Sequence, residues 1–370
     1  MMETQENKPT CLHSRHIGLG ALMSPFGGFH MPIQYEGIVE EHNAVRNACG
    51  VFDVSHMGEM WVKGPDAMRF VNHIFTNDVA VGQSGKCFYG MMLNEQGGVV
   101  DDLLVYKLSD TEFFLVFNAA NIEKDRRWIS THAEGYDVTL EDLCDTLGEI
   151  AVQGPLAEEV IENVLSLPCA DLGFYTFRCT TWRDSEIIIS RTGYTGEDGF
   201  EIYASHEVIC TMWDTLIESG RCAPCGLGCR DTLRFEVGLP LYGDELDEDI
   251  SPVEAGLSTF VKLDKEGGFI GRDAVAGVKE EGPKRRLVGI ELSDRAIPRH
   301  DYDVLDADTD CVIGHVTTGY HAISTDKSVA MALIEAPYAS LDTPVKIRIR
   351  RKTFPGRVVK KRFYDKRYKK

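Results

Sequence analysis

NEQGGVVDDLLVY (Asn94–Tyr106) opens on a turn sequence and continues as a run of alternating side chains. Asn94–Gly98 is rich in turn formers, and Val99–Lys107 reads as a strand. Apolar runs flank it at Cys87–Leu93 and Glu112–Phe117, the second reached through the short turn Ser109–Thr111. Three strands joined by such turns predict an antiparallel meander. Period-two alternation places Val99, Asp101, Leu103 and Val105 on one face, and Val100, Asp102, Leu104 and Tyr106 on the other. Each carboxylate therefore stands in an apolar row, where an unpaired charge is costly and its pKa rises. Aspartate is also disfavoured in strands, and conflicts of this kind concentrate at functional sites. The plain alternative is a strand end where one aspartate caps a neighbour and the other is solvated.

Outward from the meander, strands and helices alternate without a βαβ rhythm. Ile38–Cys49 fits a helix with Ile38, Val39, His42, Val45 and Cys49 on one face, stopped by Gly50. Met60–Gly64 reads as a strand, and Asp66 as the cap of a helix burying Ala67, Phe70, Val71 and Ile74. Helices are expected at Ala119–His132, Leu156–Leu165 and Glu207–Ser219. Strands are expected at Glu149–Val152, Cys179–Trp182, Glu186–Arg191 and Phe200–Tyr203. The pattern is α+β with antiparallel sheets, not a doubly wound parallel sheet. VKEEGPK (Val278–Lys284) is the best boundary, dividing a core over residues 1–283 from residues 284–370. Beyond it only strand-like segments follow (Leu287–Leu292, Val312–Thr317, Val329–Ile334 and Lys346–Arg350), which predicts a small β-barrel.

A chain of 370 residues suits two or three domains. No window approaches ~18 consecutive apolar residues, so no membrane span is expected, and no targeting segment is visible. Eleven cysteines, an odd number scattered through the chain, read as reduced thiols and point to a cytoplasmic protein. The net charge of −19 argues against general nucleic-acid binding. Residues 346–370 nevertheless hold thirteen Lys/Arg against the single acid Asp365. Such a basic end suits an anionic ligand or partner, or equally a solvated strand edge.

SRTGYTGEDGFEIY (Ser190–Tyr203) carries glycines at 193, 196 and 199 with Glu197, Asp198 and Glu201 among them. It matches neither a P-loop nor a dinucleotide fingerprint. A glycine-rich bend that delivers carboxylates can accept paired N–H donors from an amino-heterocycle; an ordinary hairpin turn is the alternative. A helix fits from Arg230, with Arg230 and Arg234 one turn apart. An arginine that opens a helix opposes the macrodipole and is expected to be held by a carboxylate or a ligand. DELDED (Asp244–Asp249) reads as a solvated acidic loop. Three signals are set aside. Cys222, Cys225 and Cys229 lack the second pair of a zinc site, so no metal is expected. Asp53, Ser55 and His56 are too close in sequence to form a relay. Trp61 and Trp128 read as core.

FDVSHMGE (Phe52–Glu59), NEQGGVVDDLLVY, VFNAANIEKD (Val116–Asp125), AVQGP (Ala151–Pro155), RTGYTGEDGFE, GLGCRDTLR (Gly226–Arg234) and LYGDELDEDISPVEAGL (Leu241–Leu257) occur in this order and spacing. In this the chain resembles the glycine cleavage system T-protein family of aminomethyltransferases, from about Leu12 to Tyr364. The resemblance implies a three-domain clover-leaf around a central channel, with two interleaved α+β domains and a C-terminal β-barrel. It implies transfer of the one-carbon unit of an aminomethyl group, carried on lipoylated H-protein, to tetrahydrofolate. The products are 5,10-methylenetetrahydrofolate, ammonia and dihydrolipoyl H-protein. The P- and L-proteins of the system would be indirect partners, with no nucleic acid or membrane involved. By the same resemblance Asp102 is the catalytic carboxylate, Glu201 grips the pterin and Arg230 is the substrate-site arginine. Tyr89, Tyr106, Val116, Asn118 and Tyr194 would line the folate pocket, closed by Tyr364 or Tyr368. Departures from the family pattern are TTGYHAIS (Thr317–Ser324), KRF (Lys361–Phe363) and Cys229 in place of alanine. Two relatives of the same fold are the alternatives. One is a folate-dependent demethylase; the other is a non-catalytic folate-binding protein of tRNA modification or iron–sulfur maintenance. The latter carries a cysteine-containing segment where this chain has GGFIGRDAV (Gly267–Val275).

Overall fold

The computed structural model describes residues 7–369. The meander forms as expected and gains two strands. Its five-stranded sheet runs Lys86–Leu93, Val99–Ser109, Glu112–Phe117, Gly58–Lys63, Thr139–Asp142, all antiparallel. A six-stranded sheet runs Phe177–Trp182, Ser185–Ser190, Gly199–Ser205, Leu147–Gln153, Gly50–Asp53, Ala223–Cys225. The two are interleaved in sequence, because Gly50–Asp53 precedes the entire five-stranded sheet yet pairs with Leu147–Gln153. Antiparallel pairing is not universal: Ala223–Cys225 lies parallel to Gly50–Asp53. The chain reaches that edge through the helix His206–Glu218, a crossover long enough for parallel entry.

Alternation in the strands decides which side each sheet buries. Ile150 and Val152, Ile187 and Ile189, and Phe200, Ile202 and Ala204 face the helices Ala157–Val164 and His206–Glu218. On the other sheet Leu103, Val105, Phe113 and Leu115 meet the helices Ala67–Ile74 and Ile122–His132. The opposite rows, Tyr106, Phe114 and Val116 with Phe177, Ile188 and Tyr203, form a core between the two sheets. Six further strands within Arg285–Val359 close into a barrel around Ile290, Val304, Val316, Ala332, Ile347 and Val358.

Several expectations need correction. Val278–Glu281 is not linker but the end of the helix Arg272–Glu281, whose buried residue is Val275 and whose charged side faces solvent. The chain turns at Gly282, at φ +84°, just before the barrel. The helix Ile38–Asn47 is rotated from its expected face: Val39 is 49% exposed while Glu41, His42, Val45 and Arg46 are buried. Asp66 stands at the N-cap position, but its carboxylate accepts from Asp137 N and Arg69 rather than from the helix. The strands Leu22–Phe26 and Phe29–Gln34 contain Pro25 and Pro32, which hid them from a propensity reading. Among the described residues, no helix is long and apolar enough to cross a membrane.

Candidate active site

The two aspartates stand where the central strand of the meander loses a partner. Pairing with Glu112–Phe117 ends at Leu104↔Val116, and an irregularity at Val100 shifts the register to the other neighbour. The bulge bends the strand end and re-aims its side chains. Asn118 fills the vacated position. Its backbone N–H donates to Asp101 Oδ2 at 3.0 Å, and its side-chain amide donates to Asp101 Oδ1 at 2.9 Å and Asp102 Oδ1 at 3.0 Å. Asp101 turns toward the helical side, fully buried, and also accepts from Asn121 Nδ2 at 2.6 Å. Asp102 turns the other way, is partly exposed, and accepts from the Tyr89 hydroxyl at 2.9 Å. Strand alternation does separate the faces, yet one asparagine ties both carboxylates together. Burial, then the charge of Asp101, push Asp102 up to about 7 against the pull of Tyr89 and Asn118.

The glycine-rich bend is built around Gln153. A Cβ at Gly193 would fall 2.1 Å from the Gln153 side chain, and one at Gly199 2.5 Å from it. Gln153 Nε2 donates to Thr192 O at 3.1 Å and Oε1 accepts from Thr195 Oγ1 at 2.9 Å, which fixes the loop. The strand Gly199–Ser205 then delivers Glu201, whose Oε2 accepts from the Thr192 hydroxyl. Burial raises the Glu201 carboxyl, while Thr192 and Arg230 draw it back.

Arg230 and Arg234 differ in their partners. Arg234 is fully buried and gives Nη1 to Glu245 at 2.7 Å and Nε to Asp231 at 2.6 Å. Glu245 is therefore a buried counter-ion, not part of a solvated acidic loop, and it also accepts from Thr317 and Thr318 of the barrel. Arg230 lies 4.9 Å over the Tyr194 ring, and its buried Nη1 has no hydrogen-bond partner among the described residues. Tyr194 lies close to Arg234, Asp102 and Arg230, and Tyr175 close to both Glu201 and Asp102, so the carboxylates and Arg230 share one neighbourhood.

Residues 12–265 match the GCVT N-terminal domain, and residues 285–365 the glycine cleavage T-protein C-terminal barrel domain. The chain belongs to the glycine cleavage T-protein family. The aminomethyltransferase of Alkaliphilus oremlandii is 47% identical over 99% of this chain and 100% of its own length. That of Caldanaerobacter subterraneus is 48% identical over 98% of this chain and 97% of its own. A crystal structure of glycine cleavage system aminomethyltransferase T from Bartonella henselae superposes at a TM-score of 0.93, with 32% identity over 98% of this chain and all of that one. As a T-protein family member the chain is an aminomethyltransferase of the glycine cleavage system.

The residues that the resemblance assigns to a folate pocket differ in burial. Tyr106 is fully buried between the sheets, its hydroxyl 2.8 Å from that of Tyr203 and 3.2 Å from Ser190 Oγ. Val116 is also buried in that core. Tyr364 lies 4.2 Å under the Arg46 guanidinium, whereas Tyr368 stacks on Phe174 with ring centroids 4.4 Å apart. Tyr368 has Glu201 among its charged neighbours and Tyr364 does not.

The sequence reading missed polar groups at the crossover between the sheets. Both Glu59 oxygens, Glu149 Oε2 and His56 Nδ1 are buried with no partner among the described residues. Burial pushes both glutamates well up, and lowers His56 to about 4. Glu149 was legible: it is a charge inside the apolar strand EIAV, the same signal that singled out Asp101 and Asp102. Cys222 does not join Cys225 and Cys229, lying instead 3.2 Å from Cys49. Glu41, Cys225 and Cys229 do cluster, with ligand atoms within 4.8 Å of one another. The Glu41 carboxylate is already occupied by the backbone N–H groups of Tyr35, Gly37 and Gly226.

Proposed function

We propose that Asp102 is the acid–base group of the aminomethyl transfer, with tetrahydrofolate as acceptor and lipoylated H-protein as the carrier of the aminomethyl group. The observation that carries this reading is a partly exposed carboxylate held by Tyr89 and Asn118 and raised to about 7. A group poised there is half ionised near neutral pH, where it both accepts and returns a proton. Its charge orients a folate amine for attack on the one-carbon unit and steadies the iminium-like cation that follows. Glu201 receives the pterin N–H groups, as its place behind the rigid Gln153-centred bend supports. Arg230 flanks the site with a donor left free for a ligand. Tyr89 and Tyr194 supply flat walls. Eleven free cysteines support a reducing, cytoplasmic setting.

Asp102→Asn tests the reading. It keeps the volume and loses the proton-accepting charge, so kcat should fall by roughly 10²–10⁴-fold. The measurement is ammonia release and methylenetetrahydrofolate formation from aminomethyl-lipoyl H-protein. Asp101→Asn should lose stability first, because Asp101 is fully buried and holds Asn118 and Asn121. Turnover retained in Asp102→Asn and lost in Asp101→Asn would reverse the assignment.

A further inference from the structure

The helix Ile122–His132 brings a third carboxyl to the aspartate pair. Asp125 is 0% exposed, and neither of its oxygens receives an N–H or O–H donor among the described residues. The group within its hydrogen-bonding reach is another carboxylate, Asp101. Asp101 is saturated with donors, from the backbone and side chain of Asn118 and from Asn121. With those N–H groups Asp101 acts purely as an acceptor. Two carboxylates in contact inside a protein do not both ionise, and the one without donors keeps the proton. A protonated carboxyl carries one O–H to donate, and Asp101 is the acceptor in reach.

We propose that Asp125 is a protonated positioning residue whose O–H, donated to Asp101, limits the negative charge that Asp101 presents to Asp102. The proposal rests on the reading of Asp102 as the acid–base group. Burial, then Asp101, push Asp125 up to about 11, in keeping with a carboxyl that stays neutral. The groups that face Asp102 are Asp101 on its own strand, Tyr89 on the neighbouring strand, Asp125 on the helix, and Tyr175 and Tyr194 from the loops beside the opposite sheet. Those that face Asp125 are Lys124 on its own helix, Asp101 and Asp102 on the strand, and Tyr242. Lys124 is turned away, with Nζ 2.5 Å from the Tyr242 hydroxyl and 3.6 Å from Glu248. It does not neutralise Asp125.

The sign of a pH shift decides the matter. Asp125→Asn keeps an N–H donor for Asp101 and should leave the acid limb of the kcat/KM profile in place. Asp125→Leu removes the donor, makes Asp101 more negative toward Asp102, and should move that limb up by about one unit. Were Asp125 an anion, both substitutions would delete a charge and move the limb down. A purely structural Asp125 would lower the melting temperature with no movement in either variant. Either result overturns the proposal. If the leucine variant does not fold, Asp125→Ala carries the same expectation. Infrared difference spectra at neutral pH should also lose a protonated-carboxyl band in Asp125→Asn. Failure of the underlying reading shows separately, as an Asp102→Asn enzyme that keeps wild-type turnover.

Discussion

The hydroxyls of Tyr106 and Tyr203 meet 2.8 Å apart, joining the inner faces of two sheets whose backbones pair only across the short bridge between Lys86 and Thr176 among the described residues. Both rings are buried, and Phe114 packs edge-on against each. Removing the Tyr106 hydroxyl leaves that of Tyr203 short of a partner, whereas removing that of Tyr203 leaves Tyr106 only the longer contact to Ser190 Oγ at 3.2 Å. Tyr106→Phe and Tyr203→Phe should each cost about 1–2 kcal/mol of unfolding free energy. The double variant should cost less than their sum, because it removes the orphan as well. Denaturant titrations of the four proteins would show this; additive losses would mean the contact is idle.

Glu201→Gln keeps the shape of the side chain and gives up its charge. If Glu201 receives the pterin N–H groups, tetrahydrofolate should bind about 1.5–3 kcal/mol more weakly by calorimetry. Unchanged affinity would remove Glu201 from the pterin site.

Arg234 and Glu245 are both fully buried, 2.7 Å apart, and Thr318 of the barrel joins the pair. Arg234→Met strands Glu245 without its counter-ion, so unfolding free energy should drop by about 3–5 kcal/mol. A loss under about 1 kcal/mol would mean that water reaches Glu245.

Glu236 gives an acid-stability signature. Burial alone would raise it, but His42 at 3.3 Å and the Ser324 backbone N–H at 2.8 Å, with Arg46 beside them, bring it down to about 2. A depressed carboxyl stabilises the fold above its ordinary value of 4.5, and that stabilisation is lost as pH falls from about 4.5 to about 2. The shift corresponds to about 3 kcal/mol. Glu236→Gln should therefore be less stable at neutral pH and lose less than the wild type across that window. Parallel stability curves would refute the pairing.

Four charges of the basic end are paired within the chain. Lys346 meets Asp310 at 3.0 Å, Arg348 meets Asp303 at 2.6 Å, Arg357 meets Asp342 at 3.2 Å, and Lys369 meets Glu158 at 2.7 Å. Lys370 lies outside the described residues. For Lys346, Arg348 and Arg357 these pairs favour the solvated edge over an anion site. Changing Lys346, Arg348 and Arg357 together to glutamine should leave the salt dependence of kcat/KM unaltered. A shallower slope would restore the anionic partner.

What the sequence disclosed and what it withheld divide along sequence distance. The meander was legible because period two and its turns act over a few residues, and its three strands came out within two residues of expectation. The barrel was legible from the spacing of its strands, although Lys352–Val359 was hidden by Pro355 and Gly356. The meeting of Asp101 and Asp102 at Asn118 was not, because it depends on a bulge at Val100 and on a turn sixteen and seventeen residues away. Glu245 looked like one acid in a solvated run, since nothing nearby shows that Arg234 lies beneath it. Alternation put Tyr106 on the Asp102 face, but its burial against Tyr203 depends on a residue ninety-seven positions away.

Gly50–Asp53 sits between Leu147–Gln153 and Ala223–Cys225 in its sheet. On the ribosome this strand emerges about a hundred residues before its first partner. At roughly 5–20 residues per second it waits on the order of 5–20 s with its edges bare. The strands from Gly58 to Asp142 suffer no such delay, for each finds its neighbours within its own stretch of chain. The half of the molecule that carries Asp102 can thus be complete while the half that carries Glu201 is still being made, and Cys87 N–H to Tyr175 O at 3.0 Å, with Phe177 N–H to Gly85 O at 2.9 Å, is the seam where the second closes on the first.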